Sequence, residues 1–474
     1  MNQNNLDMDR LKEKPEKRKK HRKMPGFTAG MIAAVLALGL GLCFVGNSQT
    51  AQETAPDPKV TLLAAPAYPQ MAAYPSDDSS MDAYDAWFQS VRAQQRDPAY
   101  KEGLAPFFST VMGTFLSEDT GENKVCSPVN IYMALAMLAE TSGGDSRQEI
   151  LNVLGASDLE SLRSQAGDLW NAQYHNDQAT FLVLANSLWL NQDLPLRQDT
   201  INRLAETYCA SSYSGLPGSP QMDQALQSWL NDQTGGLLQD QAENVTLDPS
   251  AILALASAIR YQAKWGEPFS PELTAPAVFH SPVGEQTADF LRKDLQSNFY
   301  WSDHFSAVCL PMTQNAGNLW LVLPDEGISP EALTSDAALL RLLDEPYGWE
   351  QEQYMTIHLS LPKFDVASRL DLSSGLQSMG ICQVFGDSAD FSPLLEPASS
   401  LSLRPRLTQC SHAVRVSLDE EGITAAAYTQ MSMAGAGAPP REETDFILDR
   451  PFLFVLNSRD HLPLFAGVVN QPET

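Results

Sequence analysis

Hydrophobic positions recur at steps of three and four residues in the first half of the globular sequence. This helical period marks four segments, at 104–116, 130–142, 146–154 and 222–234. The fourth segment ends at Gly235-Gly236, which is typical of a helix C-terminus. The second half instead carries short runs rich in aliphatic and aromatic residues, at 319–324, 355–364, 413–418, 451–456 and 464–469. We expect an α+β domain built around a large sheet.

The first hundred residues divide into three parts of different composition. Residues 1–25 hold nine Lys and Arg against four Asp and Glu, a basic flank that we expect to be cytoplasmic, and residues 26–46 hold no charged residue. The uncharged run would span about 31 Å as a helix, which matches a membrane core. We expect a transmembrane anchor, with a cleaved export signal as the alternative, and a domain that is extracellular or at the cell surface.

Residues 47–98 are rich in Ala, Pro, Ser and Gln and poor in aliphatic side chains. This composition predicts a flexible linker. Apolar residues at Met81, Tyr84, Phe88 and Val91 allow a short helix within it. No later linker or repeat divides the chain, so we expect a single domain over 99–474.

Charge and motif content limit the possible functions. The 474 residues contain 31 Lys and Arg against 58 Asp and Glu, a net charge of −27, which disfavours nucleic-acid binding. Seven scattered histidines form no metal-ligand motif, and the sequence contains neither a nucleophile elbow nor a nucleotide-binding loop. We therefore predict no catalytic residues, no metal and no cofactor; an exported hydrolase with a triad dispersed in the sequence, which would show none of these motifs, is a further alternative.

One segment near the C-terminus departs from this composition. Residues 422–440 hold no charged residue, although 19% of the chain is charged. An ordinary Ala/Gly loop is one interpretation. If the segment became extended, one face would carry only small or apolar side chains, those of Ile423, Ala425, Ala427, Thr429, Met431 and Met433. The pattern is compatible with a loop or a strand.

Seven segments together resemble the serpin family, and the resemblance covers about residues 100–474. They follow the order found in that family: 123–155, 185–191 (ANSLWLN), 228–240, 255–269, 361–372, 419–427 (DEEGITAAA) and 449–456 (DRPFLFVL). A single such motif would be weak evidence, whereas seven in order over the whole domain are strong.

The resemblance implies a serpin-like α+β fold and a mechanism. We expect a large central, mainly antiparallel sheet with further sheets, about eight to nine helices, and an exposed reactive-centre loop. It also implies a monomer that is not an enzyme but a suicide substrate of serine proteases. In this mechanism the cleaved loop enters the main sheet as a new strand. The alternative is a non-inhibitory serpin-fold binding protein whose loop is cleaved without trapping the protease.

The resemblance also assigns roles within the uncharged segment. The hinge comprises Glu420, Glu421, Gly422, Ile423, Thr424, Ala425, Ala426 and Ala427, and residues 422–437 contain neither charge nor Pro, as insertion requires. Counting from Gly422 places the reactive bond at Ala436-Gly437, preceded by the specificity residues Met433, Ala434 and Gly435. Small residues here fit a shallow pocket, so we expect an elastase-like or subtilisin-like target.

Five further residues correspond to conserved structural positions of the family. Ser127, Asn130, Ser257 and His412 match the shutter region, and Trp265 matches the breach at the top of the sheet. The family typically has Ser where Asn130 stands and Asn where Ser257 stands. We therefore expect a buried hydrogen-bond network in which the two polar residues have exchanged places.

Overall fold

The computed structural model describes residues 59–76, 79–237, 245–313, 316–397, 404–423 and 442–472. All of these residues belong to one compact unit. Residues 26–46, where the sequence predicts a membrane segment, lie outside the described ranges. Within those ranges, no helix is long and apolar enough to span a membrane.

The described residues contain ten α-helices and two short 3-10 helices. The α-helices are α1 (Met81–Gln94), α2 (Ala105–Leu116), α3 (Pro128–Thr141), α4 (Gly144–Leu154), α5 (Leu159–Gln173), α6 (Gln198–Thr207), α7 (Pro220–Gln233), α8 (Pro330–Leu333), α9 (Ala337–Asp344) and α10 (Ser373–Ser378). The 3-10 helices are Pro98–Lys101 and Gln383–Phe385. The four predicted helices correspond to α2, α3, α4 and α7, with ends within two residues of the prediction.

Local capping explains where two of these helices begin. Ser127 precedes α3, and its hydroxyl accepts a hydrogen bond from the backbone N–H of Asn130 at 3.3 Å. Ser219 caps α7 in the same way, and in both helices Pro occupies the first turn. Every residue of α3 is buried, so this helix forms the centre of the core.

Seventeen strands lie in the described residues. They are β1 (Thr61–Ala64), β2 (Lys124–Cys126), β3 (His175–Asn176), β4 (Phe181–Asn191), β5 (Ala210–Gly215), β6 (Leu253–Lys264), β7 (Ala275–Ser281), β8 (Gly284–Trp301), β9 (Phe305–Pro311), β10 (Asn318–Pro324), β11 (Glu352–Pro362), β12 (Phe364–Asp371), β13 (Leu407–Leu418), β14 (Gly422–Ile423), β15 (Glu443–Ile447), β16 (Phe452–Asn457) and β17 (Pro463–Val469).

These strands form two sheets. The first has the order β1-β5-β4-β6-β14-β13-β12, with β3 paired to β4, and most of its pairs are antiparallel. The second has the order β15-β11-β8-β9-β10-β16-β17-β2, with β7 paired to β8. The five predicted strand segments fall on β10, β11, β13, β16 and β17, although the segment 355–364 extends past the end of β11 into β12.

Two long strands of the first sheet, β4 and β6, lie in the half of the chain where the sequence pattern indicates mainly helices. Nine consecutive residues of β4 are buried, so its sequence lacks the alternation that identifies a half-exposed strand. β6 reads LALASAIRYQAK, and its alanines favour a helix locally. Burial on both faces of the sheet therefore removes the alternation from β4 and from the first seven residues of β6, whereas residues 259–264 do alternate.

The N-terminal region differs from the expected flexible linker over 47–98. Residues 61–64 form β1, which pairs with β5 and extends the first sheet by one strand. Tyr68 stacks on Trp170 with ring centroids 5.5 Å apart, and α1 extends to Gln94. The prediction counted aliphatic residues, whereas aromatic side chains bury this segment against the domain. Of the predicted linker, residues 59–76 and 79–98 are part of the folded unit.

Candidate functional site

The candidate site lies where β6 and β13 meet in the first sheet. We call this boundary the seam. The two strands are parallel and pair directly from Leu253–Leu407 to Ala258–Ala413. Further along, β14 stands between them, because Ile423 pairs with both Ala263 of β6 and Leu418 of β13. With ~4.8 Å between neighbouring strands, β6 and β13 are one spacing apart at Ala258 and two at Ala263. The seam is therefore a wedge with its wide end at β14.

Gly422 allows the chain to enter the wide end of the seam. A Cβ atom at this position would lie 2.7 Å from Cα of Lys264 and against the carbonyl oxygen of Ala263. The preceding turn is closed by Asp419, whose Oδ1 accepts from the backbone N–H groups of Glu421 at 2.8 Å and Gly422 at 3.1 Å. Only glycine fits this close backbone approach.

Trp265 holds the same turn from the side of β6. Its side chain is buried, its indole Nε1 donates to the carbonyl of Asp419 at 2.8 Å, and its backbone N–H donates to the carbonyl of Glu421 at 3.0 Å. Phe269 packs edge-on against the indole with centroids 5.6 Å apart, and its backbone N–H donates to the carbonyl of Glu420. Trp265 thus lies at the point where β14 enters the sheet.

The two glutamates of the hinge remain outside the sheet. Glu420 Oε1 lies 2.6 Å from Nζ of Lys363 and accepts from the Thr274 hydroxyl at 2.9 Å. Burial alone would raise the pKa of Glu420, but Lys363 and Thr274 outweigh it and lower that pKa below its ordinary value. Glu421 Oε2 is 3.6 Å from Nζ of Lys264. Glu421 is therefore the last charged residue before the uncharged segment, whose first residues, Gly422 and Ile423, lie within the sheet.

His412 joins the two sides of the narrow end of the seam. It lies on β13, fully buried, directly opposite Ser257 of β6. Its Nε2 accepts the backbone N–H of Ser127 at 2.9 Å, so the neutral ring carries its proton on Nδ1, which is 2.6 Å from Oγ of Ser257. Burial lowers the pKa of His412 to about 3, so the ring is neutral at physiological pH.

Asn130 extends this buried network from the first turn of α3. Its side-chain amide donates to the carbonyl of Ala258 at 2.7 Å, and its Oδ1 accepts from Nδ2 of Asn186 at 3.1 Å. Asn130 and Ser257, the two residues exchanged relative to the family pattern, therefore both have hydrogen-bond partners. Sequence reasoning did not single out Asn186, although it lies in the ANSLWLN segment.

The remaining sequence-predicted site residues lie outside the described residues. They belong to the segment 424–441: the hinge residues Thr424, Ala425, Ala426 and Ala427, the specificity residues Met433, Ala434 and Gly435, and the bond Ala436-Gly437. This segment connects β14 in the seam to β15, which pairs in parallel with β11 at the edge of the second sheet. In the part of the chain that the structure describes, no group of His, Cys, Asp and Glu is arranged to hold a metal ion.

The fold and the seam define a protein of the serpin class. The family model for serpins, described as serine protease inhibitors, matches residues 104–472. The chain therefore belongs to the serpin family, as the sequence motifs predict, and the expected α+β serpin fold is confirmed. The described residues contain ten helices, slightly more than the eight to nine expected.

Several known proteins are similar to this chain. Alpha-1-antiproteinase of Rattus norvegicus is 27% identical over 410 residues, which cover 82% of this chain and 94% of that protein. Serpin-Z1C of Triticum aestivum is 26% identical over 370 residues, which cover 75% of this chain and 91% of that protein. Among solved structures, the thermophilic serpin tengpin in its native state superposes with a TM-score of 0.70 at 23% identity, covering 80% of this chain and 95% of tengpin. Human thyroxine-binding globulin in complex with thyroxine superposes with a TM-score of 0.68 at 21% identity, covering 80% of this chain and 100% of that protein.

Proposed function

We propose that this serpin inhibits serine proteases as a suicide substrate, by cleavage of its uncharged segment and insertion of the cleaved strand into the seam. The observation that carries the proposal is the position of Ile423. This residue already pairs antiparallel with Ala263 on one side and with Leu418 on the other. It is the last residue of β14, the strand that insertion would extend.

Continuing this register gives the length of the inserted strand. Each further residue of the loop would advance one position down both β6 and β13, so Met433 would lie opposite Leu253 and Thr408. The ten residues from Thr424 to Met433 would thus fill the seam down to the first residue of β6. The proposed bond after Ala436 lies three residues further, which would carry a protease attached there to the opposite end of the sheet.

The alternation of side chains suits both faces of the sheet. On the face of Ile423, which belongs to the main core, Ala427 would lie opposite Ile259 and Val414, and Thr429 opposite His412. Small side chains fit between these buried residues, and the Thr429 hydroxyl would lie between two polar side chains, those of His412 and Ser257.

The opposite face accommodates the bulkiest residue of the segment. Tyr428 would lie opposite Ala258 and Ala413, which belong to the smaller hydrophobic cluster that α7 covers. Two alanines leave space for one aromatic ring. The large residue therefore coincides with the smallest neighbours that the register offers.

The free energy available is large enough to distort an attached protease. Insertion would break the direct ladder between β6 and β13 over six residue pairs, but ten inserted residues would form ladder hydrogen bonds on both sides. The surplus of bonds, at a net ~0.5 to 1.5 kcal/mol each, would release on the order of ten kcal/mol. That is comparable with the entire folding stability of many domains, about 5 to 15 kcal/mol.

Small residues near the reactive bond define the proposed target. Ala434 and Ala436 suit a serine protease with a shallow specificity pocket, either elastase-like or subtilisin-like. We place this inhibitor outside the cell or at its surface, anchored by or exported through residues 26–46.

A second function, binding of a small molecule by a non-inhibitory serpin, is favoured by one cavity. It has a volume of about 140 Å³ and lies between α2, α9 and the end of β16. Asn457 lines it, is 1% exposed, and both polar atoms of its side chain lack a hydrogen-bond partner among the described residues. A ligand amide would supply a partner for both atoms, and a carboxylate would supply one for Nδ2. Thyroxine-binding globulin, one of the structural neighbours, is named for such a ligand.

Incubation with a pancreatic elastase, followed by denaturing gel electrophoresis, separates the two functions. Inhibition by insertion predicts a covalent complex that survives denaturation and contains both chains. Clean cleavage of the loop without such a complex, repeated with a subtilisin, would reject the inhibitory function and leave the binding protein.

A further inference from the structure

A second and larger cavity lies between the N-terminal helix α1 and the rest of the domain. Its volume is about 300 Å³, and its other walls are the end of α5, the start of β4 and the turn between β16 and β17. Helix α1 precedes residue 104, where the match to the family model begins. The cavity therefore depends on a part of this chain that lies before the residues matched by the family model.

One face of α1 is directed into this cavity. Trp87, Phe88, Val91, Arg92 and Gln95 recur at steps of three and four residues, which places them on the same side of a helix, and all of them line the cavity. Only Trp87 among the residues of α1 is buried, while Phe88 is 52% exposed. Most of this helix face therefore borders the cavity and is not packed against other side chains.

Two contacts fix the position of α1 against the rest of the domain. The indole Nε1 of Trp87 donates to Oδ2 of Asp177 at 2.9 Å. Beyond the end of the helix, Nε of Arg96 is 3.3 Å from Oδ1 of Asp168 on α5. With both ends of the cavity-lining face fixed, the cavity is a built feature of the fold.

The cavity is basic in an otherwise acidic protein. Its lining contains Arg92, Arg459 and His175 but no Asp or Glu, although acidic residues outnumber basic ones by 58 to 31 in the chain. Arg92 forms no ion pair with any described residue. Nε of Arg459 is 3.5 Å from Oδ1 of Asp460, whose other oxygen accepts the Tyr100 hydroxyl at 2.7 Å.

A buried carboxylate behind the lining, that of Asp177, is ionised and is surrounded by hydrogen-bond donors. Asp177 accepts hydrogen bonds from Trp87, from Nε2 of His175 at 2.8 Å, and from the backbone N–H groups of Ala179 and Thr180. Burial opposes its ionisation, but these donors outweigh burial and lower the pKa of Asp177. These donors compensate the negative charge of Asp177, which therefore contributes little to the electrostatics of the cavity.

We propose that this cavity binds a small organic anion with a flat apolar body, such as an aromatic carboxylate. Trp87, Phe88, Val91 and Leu182 provide apolar walls for a ring system. A guanidinium at the mouth, that of Arg92, matches a carboxylate with two parallel hydrogen bonds. The volume is at the lower end of the range for small-molecule pockets, roughly 300 to 1,000 Å³, and holds a fused two-ring compound. This binding is independent of protease inhibition.

Isothermal titration calorimetry of the full-length chain with two matched compounds tests the proposal. Naphthalene-2-carboxylate carries the anion, and naphthalene-2-carboxamide has nearly the same shape without the charge. We expect the carboxylate to bind at least tenfold more tightly than the amide. Arg92→Gln should weaken carboxylate binding three- to tenfold and leave amide binding unchanged, whereas Phe88→Ala should weaken both. Arg404→Gln is the matched control, because Arg404 pairs with Asp387 outside the cavity.

Two results would overturn the proposal. One is the same affinity for the carboxylate and the amide, with no effect of the double substitution Arg92→Gln and Arg459→Gln. The other is the absence of carboxylate binding at millimolar concentration. Thermal unfolding of each variant shows that it is folded, and both arginines are at the surface, so their replacement should not shift the midpoint.

Discussion

A single carboxylate placed on the core face of the loop should convert the inhibitor into a substrate. In the register set by Ile423, Ala427 would insert between Ile259 and Val414, which are 2% and 0% exposed. Ala427→Glu would force a charge into this row. The variant should still be cleaved, since the change lies well before the bond Ala436-Gly437.

The magnitude follows from the cost of burying an ion. After relaxation, an unpaired buried carboxylate still costs several kcal/mol, or else takes up a proton at a comparable cost. If ~3 kcal/mol of this cost falls on the insertion step, insertion slows by about two orders of magnitude. Trapping requires insertion to be faster than hydrolysis of the acyl-enzyme, so such a delay releases active protease.

The neighbouring residue provides the matched control. Ala426→Glu introduces the same charge one position earlier, on the opposite face, where the register places it opposite Arg260 and Arg415. Arg415 already pairs with Asp365, so the guanidinium of Arg260 is the group that would offset the cost of burial. We expect this variant to retain most of its inhibitory activity.

The assay is the number of inhibitor molecules consumed per elastase molecule inactivated, with cleaved and complexed chains quantified on a denaturing gel. Ala427→Glu should give mainly cleaved chain, and Ala426→Glu mainly complex. Equal behaviour of the two variants, whether both active or both inactive, would refute the register and the alternation drawn from it.

Four further predictions follow from the hinge, the shutter and the reactive bond. Gly422→Val should expel the hinge from the seam, because the new Cβ collides with Ala263, and limited proteolysis should then cut near residue 422 faster than in the parent chain. Asn130→Ser should lower the free energy of unfolding by ~1 to 3 kcal/mol, since a buried carbonyl loses its donor; a stabilised variant in urea denaturation would contradict the exchanged network. The pKa of His412 is depressed from 6.5 to about 3, so between these pH values the unfolded state binds more protons, and the free energy of unfolding falls as the pH drops, by ~1.4 kcal/mol per pH unit from this group. His412→Gln should reduce this dependence of the free energy of unfolding on pH. An unchanged dependence would mean that the ring is charged in the folded state. Ala436→Arg should redirect inhibition to trypsin-like proteases in rate measurements, and an unchanged target range would place the reactive bond elsewhere.

The helices and the late strands could be predicted because their periodicity or their apolar runs are local. The early strands could not, since β4 and the first seven residues of β6 are buried on both faces and show no alternation; only the end of β6, at 259–264, alternates. The N-terminal segment differs from the expected linker for another reason. Its burial depends on single aromatic residues such as Tyr68, which meets Trp170 about a hundred positions later in the chain.

The candidate site was predictable in its residues but not in its contacts. Gly422, Trp265 and His412 could be singled out by their resemblance to family motifs. The contacts of the site depend on parts of the chain that are distant in sequence: Lys363 at Glu420, Asn186 at Asn130, and the pairing of Ile423 across the seam. Only that last pairing assigns each loop residue to a face of the sheet.

Amide hydrogen exchange of the cleaved chain, measured by mass spectrometry, tests the central claim most directly. After a protease cuts the loop, the ten amides from Thr424 to Met433 should become protected to the same degree as those of β6, because they would lie between two strands. Exchange of these amides at the rate of an unstructured peptide, in a chain shown to be fully cleaved, would contradict insertion into the seam.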